Sequence, residues 1–439
     1  MHKMASMHTP LLSFLFFLLL ISSSTIAQTS FRPRALILAV TKDSATGQYI
    51  TEFSQRTPLV PLKLTVNLGG DYLWVDCFKN YISSTYRPAI CRSAVCNLAK
   101  STSCVLDCGG PTPGCNNNTC ALLPFNPYIR TSSIGEVADD VVSMQSTDGT
   151  NPGQLVSAKQ VLFVCGGETL LEGLVGGVTG IVGLGKSPIG FPSQLAKAFS
   201  FPRKFAICLS SSSSSKGVIF FGESPYNFLP GQDVSQLLTY TPLLHNPVST
   251  GGAYTTGEQS VEYFIGVKSI KVNNQIVPVN TTLFKIDKEA NGGTKISSVD
   301  RYTLLETSVY DAVTNAFVNS ISKVPRVNPV APFKYCYKSA SFGSTRLGPG
   351  VPPIELVLQT NGASWTIFGA NSMVPVNGDV LCLGFLDAGL NPRTTIIIGA
   401  HQIEDNLIQF DIERSRIGFS STLLGRQTNC GNFNFTSVA

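Results

Sequence analysis

The chain has 439 residues, of which 43% are hydrophobic and only 13% charged, about half of the charged share usual in globular proteins. This composition excludes a disordered chain, because disordered chains are rich in charge and poor in apolar residues. The net charge of +5 is small and unclustered, so we expect no nucleic-acid partner, although weak binding to acidic polysaccharide is compatible with it. The 39 Gly and 26 Pro favour short strands joined by tight turns.

Residues 1–27 have the pattern of a secretory signal peptide. Lys3 supplies the positive charge, residues 11–21 form an apolar core, and Thr25 and Ala27 place small residues at the cleavage positions. The core is too short for a membrane anchor to be the better interpretation, and no later segment could span a bilayer. We therefore expect a secreted, extracellular protein that has no membrane partner.

Apolar runs bounded by turn residues dominate the rest of the chain and predict a mainly β protein. Strands are predicted at residues 35–40, 62–66, 160–164 and 218–222, and helices at 192–199 and 307–324. The serine run at 210–215 suits a boundary between two halves. We accordingly predict an N-terminal lobe at 28–215 and a C-terminal lobe at 216–439.

The cysteines predict a disulfide-bonded protein. All twelve follow Ala27, and an even number in a secreted chain indicates six disulfides. Seven lie between Cys77 and Cys120, and because seven is odd, at least one of them bonds outside this cluster. A zinc knuckle formed by four cluster members is the alternative, but an oxidising compartment disfavours it. The twelve are Cys77, Cys91, Cys96, Cys104, Cys108, Cys115, Cys120, Cys165, Cys208, Cys336, Cys382 and Cys430.

Histidine and glycosylation signals narrow the function further. Only His245 and His401 follow the leader, which argues against a His-based nucleophilic triad and against a multi-His metal site. We expect no metal and no cofactor. Sequons at Asn117, Asn280 and Asn434 agree with a secreted glycoprotein.

The two halves carry similar motif pairs in the same order. Residues 64–75 and 293–304 each combine an apolar strand with a turn, and residues 180–185 and 395–399 each form an apolar strand that reaches a Gly. Two duplicated β lobes that face each other across a cleft would produce this pattern.

At these residues the sequence resembles the pepsin-like aspartic peptidases in their plant arrangement. Asn67-Leu-Gly-Gly followed by Trp74-Val-Asp-Cys77 is similar to the N-lobe catalytic motif, and residues 396–419 resemble its C-lobe counterpart. The resemblance covers nearly all of the chain after the leader. It implies a bilobed double β-barrel with a central cleft and few short helices.

The sequence does not predict the peptidase activity of that family. Peptide hydrolysis by this fold needs two carboxylates that share one proton around a water molecule. Asn67 and Ser297 occupy the two carboxylate positions, so we predict no catalytic residues and no peptidase activity. We interpret both as structural residues that hydrogen-bond to the opposing loop. Asp71 and Asp300 lie too far along their loops to substitute.

The family's Gly-rich flap and its Tyr are not recognisable in the sequence. Residues 126–134, which precede Gly135, occupy the position of the flap.

Several runs narrow the resemblance to plant xyloglucan-specific endoglucanase inhibitor proteins and the related extracellular dermal glycoproteins. The runs are residues 56–59, 73–77, 84–87, 113–120, 261–268 and 430–435. The group implies a proteolytically inactive protein of the apoplast and cell wall that inhibits microbial glycoside hydrolases in plant defence. We also expect a monomer. Asn67 departs from it, because these glycoproteins commonly keep the first Asp.

The same resemblance implies the disulfides Cys77–Cys165, Cys208–Cys430 and Cys336–Cys382. It leaves the pairing of the six other cysteines open.

In the resembled group, the inhibiting loops come from the C-terminal lobe. Retaining glycosidases hold two carboxylates about 5 Å apart in an open groove, and a guanidinium on a stiff loop can bond both. Arg346, ahead of a Gly-Pro-Gly turn, and Arg426, just before Cys430, are our candidates, with Arg393 third. The alternatives are a binding or storage glycoprotein without inhibitory activity and, more remotely, an acid peptidase.

Overall fold

The computed structural model describes residues 31–229, 232–251 and 259–436. The predicted signal peptide at 1–27 lies outside the described residues. The described residues from Pro33 to Thr436 form one compact unit. Within the described ranges, no helix has the length and apolar character needed to cross a membrane.

Strands make up most of the regular structure, as the apolar runs predict. In the first part of the chain they are β1 Ala35–Lys42, β2 Tyr49–Gln55, β3 Val60–Asn67, β4 Trp74–Asp76, β5 Arg87–Pro88, β6 Ser103–Val105, β7 Thr119–Leu122, β8 Phe125–Asn126, β9 Thr131–Ser132, β10 Gly135–Thr147, β11 Pro152–Gly166, β12 Gly180–Gly183, β13 Lys204–Cys208, β14 Gly217–Gly222, β15 Asn227–Leu229, β16 Gln232–Asp233 and β17 Thr239–Leu244.

The later strands are shorter. They are β18 Phe264–Ile265, β19 Val267–Val272, β20 Gln275–Ile276, β21 Thr294–Ile296, β22 Thr303–Leu305, β23 Arg326–Val327, β24 Cys336–Lys338, β25 Ser344–Thr345, β26 Gly348–Pro349, β27 Ile354–Leu358, β28 Ser364–Ile367, β29 Met373–Asn377, β30 Val380–Leu383, β31 Phe385–Asp387, β32 Ile396–Ile398, β33 Leu407–Asp411 and β34 Arg416–Phe419.

The α-helices are short, and the two predicted from the sequence are present. They are α1 Ala94–Leu98, α2 Phe191–Phe199, α3 Thr307–Ser320, α4 Gly369–Ser372 and α5 Ala400–Ile403. Short 3-10 helices lie at Glu168–Leu171, Val234–Leu237, Thr281–Phe284, Ser339–Ser341, Leu424–Arg426 and Cys430–Asn432. Helix α3 begins where Glu306 accepts from the Ser308 and Val309 N–H groups, and it buries Val313 and Phe317 on one face.

Two four-stranded units repeat one topology. In the first, β12 pairs in parallel with β3 and antiparallel with β4, and β4 pairs in parallel with β11. In the second, β32 pairs in parallel with β21 and antiparallel with β22, and β22 pairs in parallel with β31. The duplicated motif pairs of the sequence therefore correspond to duplicated structure.

A continuous sheet joins the two halves of the chain. Strand β13 pairs antiparallel with β14 on one side and with β33 on the other, and β33 pairs with β34. The serine run at 210–215 connects β13 to β14, so it is a hairpin loop within this sheet. The lobe boundary at 215/216 stays a prediction.

Candidate functional site

The strand pairing places Asn67 and Ser297 at equivalent points. Asn67 ends β3 opposite Gly183 of β12, and its carbonyl accepts from Leu184 N at 2.9 Å. Ser297 follows β21, and its N–H donates to the carbonyl of Ile398 at 2.9 Å, where β32 ends. Each unit of the repeat therefore carries one of these two neutral side chains at the end of its first strand, β3 or β21.

Asn67 and Ser297 hydrogen-bond within their own loops, so the predicted bonds to the opposing loop were wrong. Asn67 Oδ1 accepts from Gly69 N at 2.9 Å. Ser297 Oγ accepts from Val299 N at 3.2 Å and from Asp300 N at 3.1 Å. The oxygen of each side chain turns back to accept from backbone N–H groups two or three residues further along its own loop, as Asn and Ser commonly do in turns.

The neighbouring Ser298 makes the cross-loop bonds instead. Its Oγ accepts from Leu68 N at 3.0 Å and donates to the carbonyl of Val66 at 3.1 Å. Ser298 is 2% exposed, so its hydroxyl and the two backbone groups satisfy one another away from water. This clamp ties the two loops together from one side.

A buried carboxylate that the sequence analysis missed lies beside the Asn67 loop. A methyl group placed on Gly69 would lie 3.5 Å from Glu262 Oε1 and 3.7 Å from Asn67 Oδ1. Glu262 is paired with Lys295 at 2.6 Å, and its other oxygen accepts from Thr250 N at 3.1 Å and Ser260 Oγ at 3.1 Å. The available signal was a lysine in the short predicted strand that leads to Ser297, since a buried ammonium requires an acidic partner.

The electrostatics keep this carboxylate ionised. Burial raises the pKa of Glu262, but the Lys295 ammonium and the Thr250 hydrogen bonds outweigh burial and hold that pKa below its ordinary value. Its oxygens are occupied as acceptors, so the arrangement gives Glu262 no shared proton with which to activate water.

Three further aspartates lie in or near the loops that carry Asn67 and Ser297. Asp76 is buried at the end of β4 and caps the next turn, with Oδ1 accepting from Phe78 N at 2.9 Å. Asp300 is half-buried in the loop after Ser297, and its carbonyl accepts from Ala400 N at 2.8 Å. Asp71 is exposed on the other loop.

A hairpin occupies the segment where no flap was recognisable in the sequence. Strands β8 and β9 pair there, and Tyr128 lies in their turn, where its N–H donates to Asn126 Oδ1 at 2.8 Å. Trp74 Nε1 donates to the carbonyl of Phe125 at 3.2 Å and anchors the hairpin. Burial raises the pKa of Tyr128, and the nearby charge of Asp300 adds to the rise. The Asn-Pro pair, which favours a turn, was the signal.

The structure brings the segments that carry two of the three candidate arginines into contact. Arg346 is exposed in the two-residue turn between β25 and β26, and Arg426 is exposed at the end of the 3-10 helix Leu424–Arg426. The Gln427 side-chain oxygen, in the orientation that satisfies the amide, accepts from Arg346 Nη2 at 2.9 Å and Nη1 at 3.2 Å. The arginine hairpin (residues 344–349) and the arginine loop (residues 423–430) are therefore direct neighbours.

Arg393 lies elsewhere. It is half-buried in the loop between β31 and β32, and its carbonyl accepts from Gly292 N at 2.9 Å. This bond joins its backbone to the segment before β21.

All twelve cysteines are paired. The pairs are Cys77–Cys165, Cys91–Cys104, Cys96–Cys120, Cys108–Cys115, Cys208–Cys430 and Cys336–Cys382. Three are the pairs that the resemblance implies, and the other three close the cluster that spacing alone left open. The sequon residues Asn117, Asn280 and Asn434 are exposed, and their glycosylation stays a prediction.

The described part of the chain contains no group of three or more His, Cys, Asp and Glu side chains arranged to hold a metal ion.

Comparison with known proteins identifies the class. The family model described as xylanase inhibitor N-terminal matches residues 49–223, and the one described as xylanase inhibitor C-terminal matches residues 262–421. The chain therefore belongs to the xylanase-inhibitor-like family, a group of non-catalytic pepsin-like homologues.

Individual relatives agree with this class over nearly the full length. A Nicotiana benthamiana protein named probable aspartic proteinase GIP2 is 58% identical over 96% of this chain and 97% of its own. Gamma conglutin 1 of Prunus dulcis is 44% identical over 95% of this chain and 94% of its own.

Solved structures confirm the expected bilobed pepsin-like fold. The crystal structure of edgp matches with a TM-score of 0.91 at 56% identity, covering 93% of this chain and 100% of that chain. Soybean basic 7S globulin matches with a TM-score of 0.80 at 34% identity, covering 92% of this chain and 98% of that chain.

Proposed function

We propose that this chain is a secreted, proteolytically inactive inhibitor of microbial glycoside hydrolases, with xyloglucan-specific endo-β-1,4-glucanase as the target class. The family name supports inhibition of glycoside hydrolases in general. The narrower target rests on the sequence runs that resemble the endoglucanase inhibitor group. In this proposal Arg346 and Arg426 enter the active-site groove of the hydrolase.

The observation that carries the proposal is the contact between the two arginine segments. Retaining glycosidases present two carboxylates about 5 Å apart, which is a target for adjacent guanidinium groups. A methyl group placed on Gly425 would lie 3.5 Å from Leu347 Cδ2, so the hairpin and the loop also touch through apolar atoms. Prior packing of this kind lowers the ordering cost of binding.

Loss of the acid pair explains why inhibition is proposed and peptidase activity is not. We propose that Asn67 and Ser297 stand where active relatives carry their two carboxylates. An amide and a hydroxyl hold hydrogen bonds, but neither accepts a proton from water near neutral or mildly acidic pH. The nearest buried carboxylate, Glu262, is paired with Lys295.

The test is inhibition of xyloglucan hydrolysis by purified mature protein, compared with variants. Arg346→Ala and Arg426→Ala should each weaken inhibition by about 2–4 kcal/mol, which is the effect expected of a buried charged anchor. The corresponding Arg→Lys variants should retain part of the inhibition that the Ala variants lose, since Lys keeps the charge but lacks the forked donor geometry of Arg. Arg393→Ala tests the third candidate, and Arg92→Ala, an exposed arginine of the cysteine cluster, is the matched control.

Unchanged inhibition in both alanine variants would contradict the proposal that Arg346 and Arg426 enter the active-site groove. The same preparation should leave casein intact between pH 3 and 5. Casein cleavage that a transition-state mimic of aspartic peptidases abolishes would contradict the proposed lack of peptidase activity.

The proposal places the protein outside the cell, in the apoplast and cell wall, as a glycosylated monomer. The six disulfides support an oxidising compartment. Weak retention on acidic wall polysaccharide is part of the proposal, since the net charge is +5.

A binding or storage role is the second candidate, because relatives include proteins named gamma conglutin and basic 7S globulin. Glycan or peptide binding without an effect on a panel of hydrolases would favour it.

A further inference from the structure

Both ends of the arginine loop are held by one residue, Asp405. The carbonyl of Asp405 accepts from Leu423 N at 2.8 Å, where the loop begins. Its carboxylate Oδ1 accepts from Cys430 N at 3.0 Å, where the loop ends and Cys430 is bonded to Cys208. Asp405 is 4% exposed, so these two bonds are shielded from water.

The backbone of Asp405 is itself held in place. Its N–H donates to the carbonyl of Leu209 at 2.8 Å, and its φ of 51° lies in the left-handed region. Asp tolerates this conformation better than most residues, and Gly adopts it without strain.

The arginine hairpin rests on the same segment of the chain. Leu347, next to Arg346, accepts through its carbonyl from Ala370 N of α4 at 2.8 Å. The following residue, Asn371, donates through Nδ2 to the carbonyl of His401 at 3.0 Å and to that of Glu404 at 2.9 Å. Residues 401–405 therefore form a common base under both arginine segments.

We propose that Asp405 is a positioning residue that sets the distance between the Arg426 and Arg346 guanidinium groups by fastening both ends of the arginine loop to this base. The inference rests on the proposed function, which it deepens. Loss of the carboxylate removes the hydrogen bond to Cys430 N, so that the disulfide to Cys208 alone holds this end of the loop, while the Leu423 end stays bonded. Arg426 then has to be ordered when the target binds, and inhibition weakens.

The decisive experiment is a double-mutant cycle between Asp405→Gly and Arg426→Ala, read as the inhibition constant. Glycine removes the carboxylate and keeps the backbone conformation. We expect Asp405→Gly to weaken inhibition at least 10-fold in the native background and less than 2-fold when Arg426 is already Ala. Asp405→Asn, which retains the side-chain oxygen acceptor, should recover most of the inhibition.

Equal weakening in both backgrounds would assign Asp405 a general structural role and overturn the proposal. Asp140→Ala is the matched control, because Asp140 is also a buried carboxylate that accepts from a backbone N–H, with Val141 N at 2.7 Å. It should lower the melting temperature and leave inhibition unchanged.

Hydrogen exchange in the free protein separates this inference from the proposed function. Amides of residues 423–430 should exchange at least 10-fold faster in Asp405→Gly than in the native protein or Asp405→Asn. Faster exchange in a protein that inhibits no hydrolase would sustain the positioning role and contradict the proposed function. Unchanged exchange would overturn the positioning role whatever the inhibition.

Discussion

At the scale of single residues, the loops that carry Asn67 and Ser297 are held by polar groups that satisfy one another. Ser298 bonds across to the backbone on both sides of Asn67, and the pair of Glu262 and Lys295 fills the space beside Gly69. Glu262 and Lys295 are 4% and 8% exposed. A buried pair of this kind is costly to break, because the remaining partner is left charged and unpaired.

Glu262→Gln should lower the free energy of unfolding by about 3–5 kcal/mol at pH 6, because Lys295 is then buried without a counter-charge. The pKa of Glu262 in the folded protein lies below its ordinary value of 4.5. Its contribution is therefore fully present above about pH 4.5 and is lost as the pH falls through the lower folded value. The difference between variant and native protein should shrink on acidification.

Denaturant unfolding at several pH values between 3 and 7 measures the difference in unfolding free energy between Glu262→Gln and the native protein. Glu52→Gln, at an exposed strand position, is the control. A difference that stays constant with pH would contradict the ionised pair.

At the scale of elements, the arginine hairpin depends on a close approach between β26 and α4. Gly348 has a φ of 90°, and a methyl group placed there would lie 2.3 Å from Ala370 N. Only Gly accepts both the backbone conformation and the contact. The hydrogen bond from Ala370 N to Leu347, which supports the turn, requires the same approach.

Gly348→Ala should therefore displace the hairpin and cost about 1–3 kcal/mol of stability, since it introduces backbone strain and a clash. Inhibition should weaken at least 10-fold, because Arg346 moves with the turn. Gly343→Ala, directly before the hairpin, has no heavy atom within 4 Å of the added carbon and should change neither quantity. Equal effects of the two substitutions on inhibition would contradict this account.

At the scale of the whole molecule, the disulfide Cys208–Cys430 joins the central sheet to the C-terminal segment across a sequence separation of 222 residues. Cys208 lies in β13, and Cys430 ends the arginine loop. Cys108–Cys115 closes a separation of only 7 residues within the cysteine cluster. The two bonds therefore constrain the unfolded chain to very different extents.

Replacing Cys208 and Cys430 with Ser should lower the free energy of unfolding by about 5 kcal/mol in the chain-entropy treatment, against about 2 kcal/mol for Cys108 and Cys115. The first double variant should also inhibit more weakly, since the arginine loop loses its covalent anchor, and the second should inhibit normally. Denaturant unfolding and inhibition assays at a temperature where both variants are folded measure the two effects. Normal inhibition without the Cys208–Cys430 bond would contradict the anchoring role.

Much of the architecture was predictable from local sequence. The strands at 35–40 and 218–222 and the helix at 307–324 follow from apolar runs and periodicity, which act over a few residues. The duplicated motif pairs predicted the repeated β unit, because each motif combines a strand with its own turn. The assignment of Asn67 and Ser297 to the two carboxylate positions of active relatives stays a prediction.

Tertiary structure alone decided which side chains meet. The contact between Arg346 and Gln427, the pairing of Glu262 with Lys295 and the cross-loop bonds of Ser298 all join segments that are distant along the chain. The pairing inside the cysteine cluster depended in the same way on how the backbone brings Cα atoms within reach. Local periodicity cannot predict such contacts, because they form only when separate elements pack. The two arginine segments meet at residues 401–405 for the same reason, through bonds between segments distant along the chain.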